Sequence, residues 1–220
     1  MKIFLASASL DDIRWGTSTQ LVDGIATTPS LLAGVTGTDD GLDLLGEIGR
    51  ASTVPVCATV TSVSPSDMYQ DARELAKACD RMIVQIPFVE DAVATIRRLS
   101  AEGIQVGATL VFNTAQAVLA AKLGVVMATI ALDRLEEVGQ RSSDVITEMR
   151  TVFDNAGTEC DIFASQPRGP EQFAYCAIAG AHGVIVTAPV LRSLLVHPLT
   201  DRGIDQFLHD LSKRPKVRVS

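Results

Sequence analysis

The sequence predicts an α/β fold: a single (β/α)8 TIM barrel, one domain over 1–220, with an extra C-terminal helix and tail over about 198–220. Three observations predict it. Short apolar runs alternate with helix-length amphipathic segments from one end to the other. About eight such units fit into the chain, and eight is the number that closes a barrel. Several runs, such as Val54-Pro55-Val56-Cys57-Ala58-Thr59-Val60, are almost continuously apolar, as parallel strands covered by helices must be. A doubly wound open sheet is the competing architecture. It lacks its phosphate-loop signature here, because neither G-x-G-x-x-G nor G-x-x-x-x-G-K-[ST] follows any strand. No composition break marks a second domain.

Taken in order, the strands are expected at 3–6, 24–27, 54–59, 81–86, 105–111, 125–131, 160–165 and 183–187. The first run, Ile3-Phe4-Leu5-Ala6, is too short for a secretory h-region and is soon followed by Asp11-Asp12. Among the helices, 66–79 starts after Pro65 with a serine cap and ends in Lys77. The segments 90–101 and 113–123 run into Gly103 and Gly124, which are glycine stops. The pattern at 135–155 reads as one long helix, 170–179 ends at Gly180, and a last helix is expected at 200–211.

Composition narrows the function. With 19 Lys plus Arg against 26 Asp plus Glu, the formal charge is −7. Nucleic acid is therefore not expected as a partner, and the only basic stretch, Lys213-Arg214-Pro215-Lys216-Val217-Arg218, is terminal. No apolar run reaches the ~18 residues of a membrane-spanning helix, so no membrane partner is expected. Cys57, Cys79, Cys160 and Cys176 are scattered without C-x-x-C spacing, which fits reduced thiols in a cytoplasmic protein.

In such a barrel the reactive groups stand at the C-terminal ends of the strands and in the loops beyond. Those positions hold Ala6, Ser7, Thr27, Thr28, Thr59, Thr61, Gln85, Thr109, Asp133, Arg134, Ser165, Arg168 and Thr187. They are rich in hydroxyls and poor in titrating groups. Asp133 is the one clear carboxylate, so neither a catalytic metal nor a cofactor is expected. His182 precedes the eighth strand at the barrel floor, and His197 and His209 lie in the C-terminal region, so no Ser–His–acid relay forms. The five lysines (Lys2, Lys77, Lys122, Lys213 and Lys216) sit at the floor, at helix ends or in the tail. None is placed to reach the mouth of its own barrel as a Schiff-base amine.

Several segments together resemble the transaldolase family, and within it the fructose-6-phosphate aldolase-like branch. Gly24-Ile25-Ala26-Thr27-Thr28-Pro29-Ser30 is similar to the family's G-V-T-T-N-P-S, and Val84-Gln85-Ile86-Pro87 to its V-K-[IV]-P. Gly107-Ala108-Thr109 with Ala115-Gln116, Asp133-Arg134 and Ala164-Ser165 extend the likeness over nearly the whole chain. The resemblance implies a barrel, a homo-oligomer and sugar-phosphate chemistry. It also locates the departures: Ala6 stands for the family's aspartate, Thr28 for the asparagine, and Thr59 for a Gln or Glu. Gln85 stands for the Schiff-base lysine and Ala131 for the tyrosine of the aldolase branch. The phosphate end is better kept. Arg134 and Ser165 match, and Arg168 lies close by, which together suggest an anion clamp; the competing reading pairs Arg134 with Glu136 or Glu137 in a surface salt bridge.

The expected catalytic set is then Gln85, Thr109 and Asp133, with Thr27, Thr28, Thr59, Arg134, Ser165 and Arg168 binding a small-molecule ligand, a sugar phosphate or polyol. Three readings stay open: a diverged enzyme without an imine, a non-catalytic binding protein, and an aldolase borrowing Lys213 or Lys216 from another subunit.

Overall fold

A computed structural model describes residues 1–37, 41–62 and 64–213. Eight parallel strands follow one another round a closed barrel: β1 (Lys2–Ala6), β2 (Gly24–Ala26), β3 (Val56–Thr59), β4 (Met82–Pro87), β5 (Gln105–Thr109), β6 (Met127–Ala131), β7 (Asp161–Ser165) and β8 (Gly183–Thr187). β8 returns to pair with β1 over its full length, from Lys2↔Gly183 to Ala6↔Thr187. Outside lie α1 (Leu10–Ser18), α2 (Pro29–Thr36), α3 (Leu42–Ala51), α4 (Pro65–Ala78), α5 (Val93–Ala101) and α6 (Thr114–Lys122). They are followed by α7 (Leu132–Glu137), α8 (Ser142–Ala156), α9 (Pro170–Ile178), α10 (Ala188–Ser193) and α11 (Pro198–Ser212).

Helix starts are written locally. Ser9, Thr28, Ser64 and Asn113 each accept a hydrogen bond from the backbone N–H three residues on, which stabilises a helix by about 1 kcal/mol. Proline follows the cap in α2 and α4, where its missing N–H costs nothing.

The registers explain the interior. From β4 to β6 the partners run Gln85↔Gly107 and Gly107↔Met127. Because the strands tilt, staying level over those two steps means moving two residues up-strand, to Thr129. Inward side chains therefore stack in layers drawn from alternate strands. Gly24, Ile83, Met127 and Gly183 form one layer, with Phe4, Cys57, Gly107 and Phe163 above it. Together they make an apolar plug, in which the Phe4 and Phe163 rings meet edge to face at 4.7 Å. Gly24 and Gly183 are small so that these rings fit: a Cβ on Gly24 would lie 2.5 Å from the Phe4 ring. Beneath the plug, Lys2 Nζ pairs with Asp161 Oδ2 at 2.7 Å and closes the floor.

Three expectations are corrected. The helix expected at 135–155 is two, α7 and α8, because Gly139 turns left-handed (φ 76°) and the Gln140 N–H closes back onto the Leu135 carbonyl. β6 ends at Ala131 as expected but starts at Met127 rather than at 125, and Asp133 and Arg134 fall in α7 directly beyond it. Helices α1, α2, α3 and α10 were not individually foreseen. The first three each carry internal glycine, which weakens the helical signal. The last helix is longer than expected, and the basic stretch 214–218 lies outside the described residues. Among the described residues no helix is long and apolar enough to cross a membrane.

Candidate active site

Above the plug the barrel interior turns polar. The next layer holds Ala26, Gln85, Thr129 and Ile185, and the one above it Ala6, Thr59, Thr109 and Ser165. Gln85 is two residues beyond Ile83 of the plug, so β4 turns it inward. It is 4% exposed. The Thr59 hydroxyl donates to Gln85 Oε1 at 3.3 Å, while Gln85 Nε2 has no partner among the described residues. Room for the side chain comes from Gly107. A Cβ there would approach Met127 Cγ to 2.8 Å and Gln85 Cγ to 3.5 Å.

Thr129, level with Gln85 across that glycine, is 7% exposed and its Oγ1 is also unpartnered. The third such atom is Asp133 Oδ1, just past the end of β6. Each buried polar group left unmade costs ~1–3 kcal/mol. Folded chains therefore keep few of them, and their gathering at the C-terminal end of the barrel makes this face the candidate site.

The remaining expected residues divide by place. Thr109 ends β5 in the layer of Thr59, and its carbonyl accepts from the Phe88 N–H at 2.8 Å. Thr28 tops β2, its hydroxyl accepting from the Leu31 N–H at 3.2 Å as the cap of α2. Ser165 ends β7 and donates to the Ile130 carbonyl at 3.1 Å. Thr27 was expected at the mouth, but lies behind it. Strand alternation turns it toward the helices, it is fully buried, and its hydroxyl donates to the Cys57 carbonyl at 2.9 Å.

Arg134 and Arg168 stand on the rim, 66% and 68% exposed. Arg134 pairs with Glu137 at 3.6 Å, and Arg168 with Glu136 at 3.9 Å. Glu136 also accepts from Gln172 Nε2. Two loop residues beside this face, Leu110 and Gln166, hold left-handed backbone (φ 57° and 64°) without being glycine. Such conformations gather at functional loops.

The other chemistry-bearing residues sit elsewhere. Lys2 is at the floor, Lys77 and Lys122 are exposed at the C-terminal ends of α4 and α6, and Lys213 is exposed after α11. Lys216 is outside the described residues. Cys57 lies in the plug under Thr59, where burial pushes its thiol far above the usual range. His182 precedes β8, and its Nδ1 accepts from the Ile162 N–H at 2.9 Å. His197 caps α11 through its own Nδ1.

Thr129 is the residue that sequence reasoning missed. It is mid-strand rather than at a strand end. The available signal was a lone hydroxyl in the run Met127-Ala128-Thr129-Ile130-Ala131, on the same face as Ala131.

Comparison with known proteins agrees with this architecture. A family model described as Transaldolase/Fructose-6-phosphate aldolase matches residues 3–217. A protein named probable transaldolase from Thermoplasma acidophilum is 38% identical over 215 residues, covering 97% of this chain and 96% of its own length. Another of that name, from Desulfotalea psychrophila, is 36% identical over 214 residues, covering 97% and 99%. On the closed barrel and this end-to-end similarity, the chain belongs to the transaldolase/fructose-6-phosphate aldolase family.

Proposed function

We propose that the chain binds a polyhydroxylated or phosphorylated small molecule at the barrel mouth, as a diverged family member that does not work through a Schiff base. One observation carries this reading. The inward position that the family resemblance gives to the lysine holds Gln85, whose Nε2 is buried and unpartnered. A carboxamide nitrogen shares its lone pair with the carbonyl and forms no imine, but its N–H groups donate well to a carbonyl or hydroxyl oxygen. Thr59, in the layer above, steadies the amide by donating to its Oε1, and Thr109 and Thr28 offer further hydroxyls above it. Thr27 braces the β2–β3 seam behind them. Asp133 is the acid–base group of the set. Ser165, Arg134 and Arg168 are the groups on which a phosphate would draw.

The test is a thermal-shift panel of polyols, ketoses, aldoses and their phosphates on the full chain. A ligand at 100 times its Kd stabilises by about 2.7 kcal/mol, or roughly 5–10 °C for a chain of this size. Gln85→Leu should abolish the shift, and a panel that moves nothing would count against the reading. Turnover of a stabilising ligand, followed by NMR, separates an enzyme from a binding protein.

The same proposal takes 1–220 as one domain carrying one site, working in a reducing cytoplasm with its four cysteines free. It also takes the assembled form as a homo-oligomer. Helix α11 has no buried residue and exposes Ile204, Phe207, Leu208 and Leu211 at helical spacing. A second copy is the partner whose apolar surface would cover them.

A further inference from the structure

We infer that the ligand is uncharged: the mouth selects a free polyol or hydroxycarbonyl compound over its phosphate ester, with Thr129 joining Gln85 as the pair that reads its oxygens. This rests on reading the mouth as the ligand site, and narrows it.

The interior supplies the first argument. From the layer of Gln85 and Thr129 upward, three successive inward layers hold a carboxamide, hydroxyls and small apolar groups. None of their side chains is ionisable. A phosphate drawn into these layers would leave water without meeting a cation, and an unpaired buried charge is far costlier than a buried hydroxyl with partners. A ligand hydroxyl, by contrast, matches what is there. It accepts from Gln85 Nε2 and exchanges donor and acceptor roles with Thr129 Oγ1, the two nine-tenths-buried atoms that lack partners.

The rim supplies the second. Its cations Arg134 and Arg168 are matched by Glu137 and Glu136, Arg192 of α10 is matched by Asp12 of α1, and Asp133 adds a carboxylate with no cation partner among the described residues. Exposed ion pairs are weak enough to be broken, so the pairs alone do not exclude phosphate. The sum does. Each of these cations already faces a carboxylate, and Asp133 leaves the side of the entrance beside β6 and β7 net negative by one, so that this like-signed side repels a dianion at low salt. Ser165 is also engaged, its proton given to the Ile130 carbonyl.

The experiment is isothermal titration of the full chain at low ionic strength with free ketoses and polyols, each paired with its phosphate ester, fructose and fructose 6-phosphate among them. The free compound should bind at least tenfold more tightly than its ester. Thr129→Val, which keeps the shape and removes the hydroxyl, should weaken the free ligand about tenfold, while Thr129→Ser keeps its affinity. The double change Glu136→Gln with Glu137→Gln should strengthen the ester alone. An ester that binds more tightly than its free partner, and loses that advantage in Arg134→Ala, overturns this inference while leaving the mouth as the binding site. Absence of binding by both classes overturns the inference and the site together.

Discussion

Gln85 differs from a lysine by having no basic lone pair, and the residues above it differ in the same direction. Ala6 and Ala131 stand on the inward face of β1 and β6, where the family resemblance places a carboxylate and a phenol. Restoring one member of such a set is therefore not enough. Gln85→Lys alone should give little fructose 6-phosphate cleavage. Adding Ala6→Asp and Ala131→Tyr should exceed it by about 10²–10⁴-fold, the usual worth of acid–base catalysis. A coupled assay for released triose reads both, and equal rates would show that the missing groups lie elsewhere. His182 offers a second prediction at this scale. Burial, then the neighbouring Arg150, holds its pKa below the ordinary 6.5, against the pull of Asp161 and Asp154. The folded state thus binds fewer protons than the unfolded one as pH falls past 6.5, and stability should drop from there downward. Thermal melts between pH 7.5 and 5 should show the loss, flattened in His182→Gln, which keeps an acceptor for the Ile162 N–H. Gln85 was legible in the sequence because strand ends and family spacing both point to it. Thr129 was not, because only the register reveals that it is level with Gln85.

Elements show where local pattern suffices and where it does not. The eight strands were legible as apolar runs, and β8 matches its expected span residue for residue. The break between α7 and α8 was not, since apolar periodicity continues across Gly139 while its backbone does not. Within the strands, glycine has a packing role that alternation alone hides. Gly24→Ala would drive a methyl into the Phe4 ring, and overpacking of this kind costs about 1–3 kcal/mol. Urea unfolding should show that loss, and an unchanged midpoint would mean that the plug has slack. Helix α11 carries the assembly prediction. Light scattering at micromolar concentration should give an oligomer, which Phe207→Glu with Leu208→Glu dissociates while leaving the barrel folded. A monomeric parent chain would overturn it.

At the scale of the molecule, the barrel is divided across its axis. A floor ion pair and a plug of phenylalanine, isoleucine and methionine carry the packing. Above them the interior holds uncharged polar groups, with the charges kept to the rim. Composition foretold the acidic balance, and the count of eight strand–helix units foretold the barrel, as did the family likeness. The Arg134–Glu137 pair was legible as an i,i+3 spacing within α7, whereas Arg168–Glu136 was not, because it depends on how α7 and the β7–α9 loop meet in space. The lysines complete the division. The described ones lie at the floor, at the C-terminal ends of α4 and α6 or after α11, and none belongs to the interior layer of Gln85 or to those above it. An amine must stand within ~3 to 3.5 Å of a carbonyl carbon to form an imine. The most direct test is borohydride reduction of the full chain with fructose 6-phosphate or dihydroxyacetone, followed by intact mass and peptide mapping. The unmodified mass is the predicted result; a reduced adduct on any lysine, formed at the rate of turnover, would contradict the account.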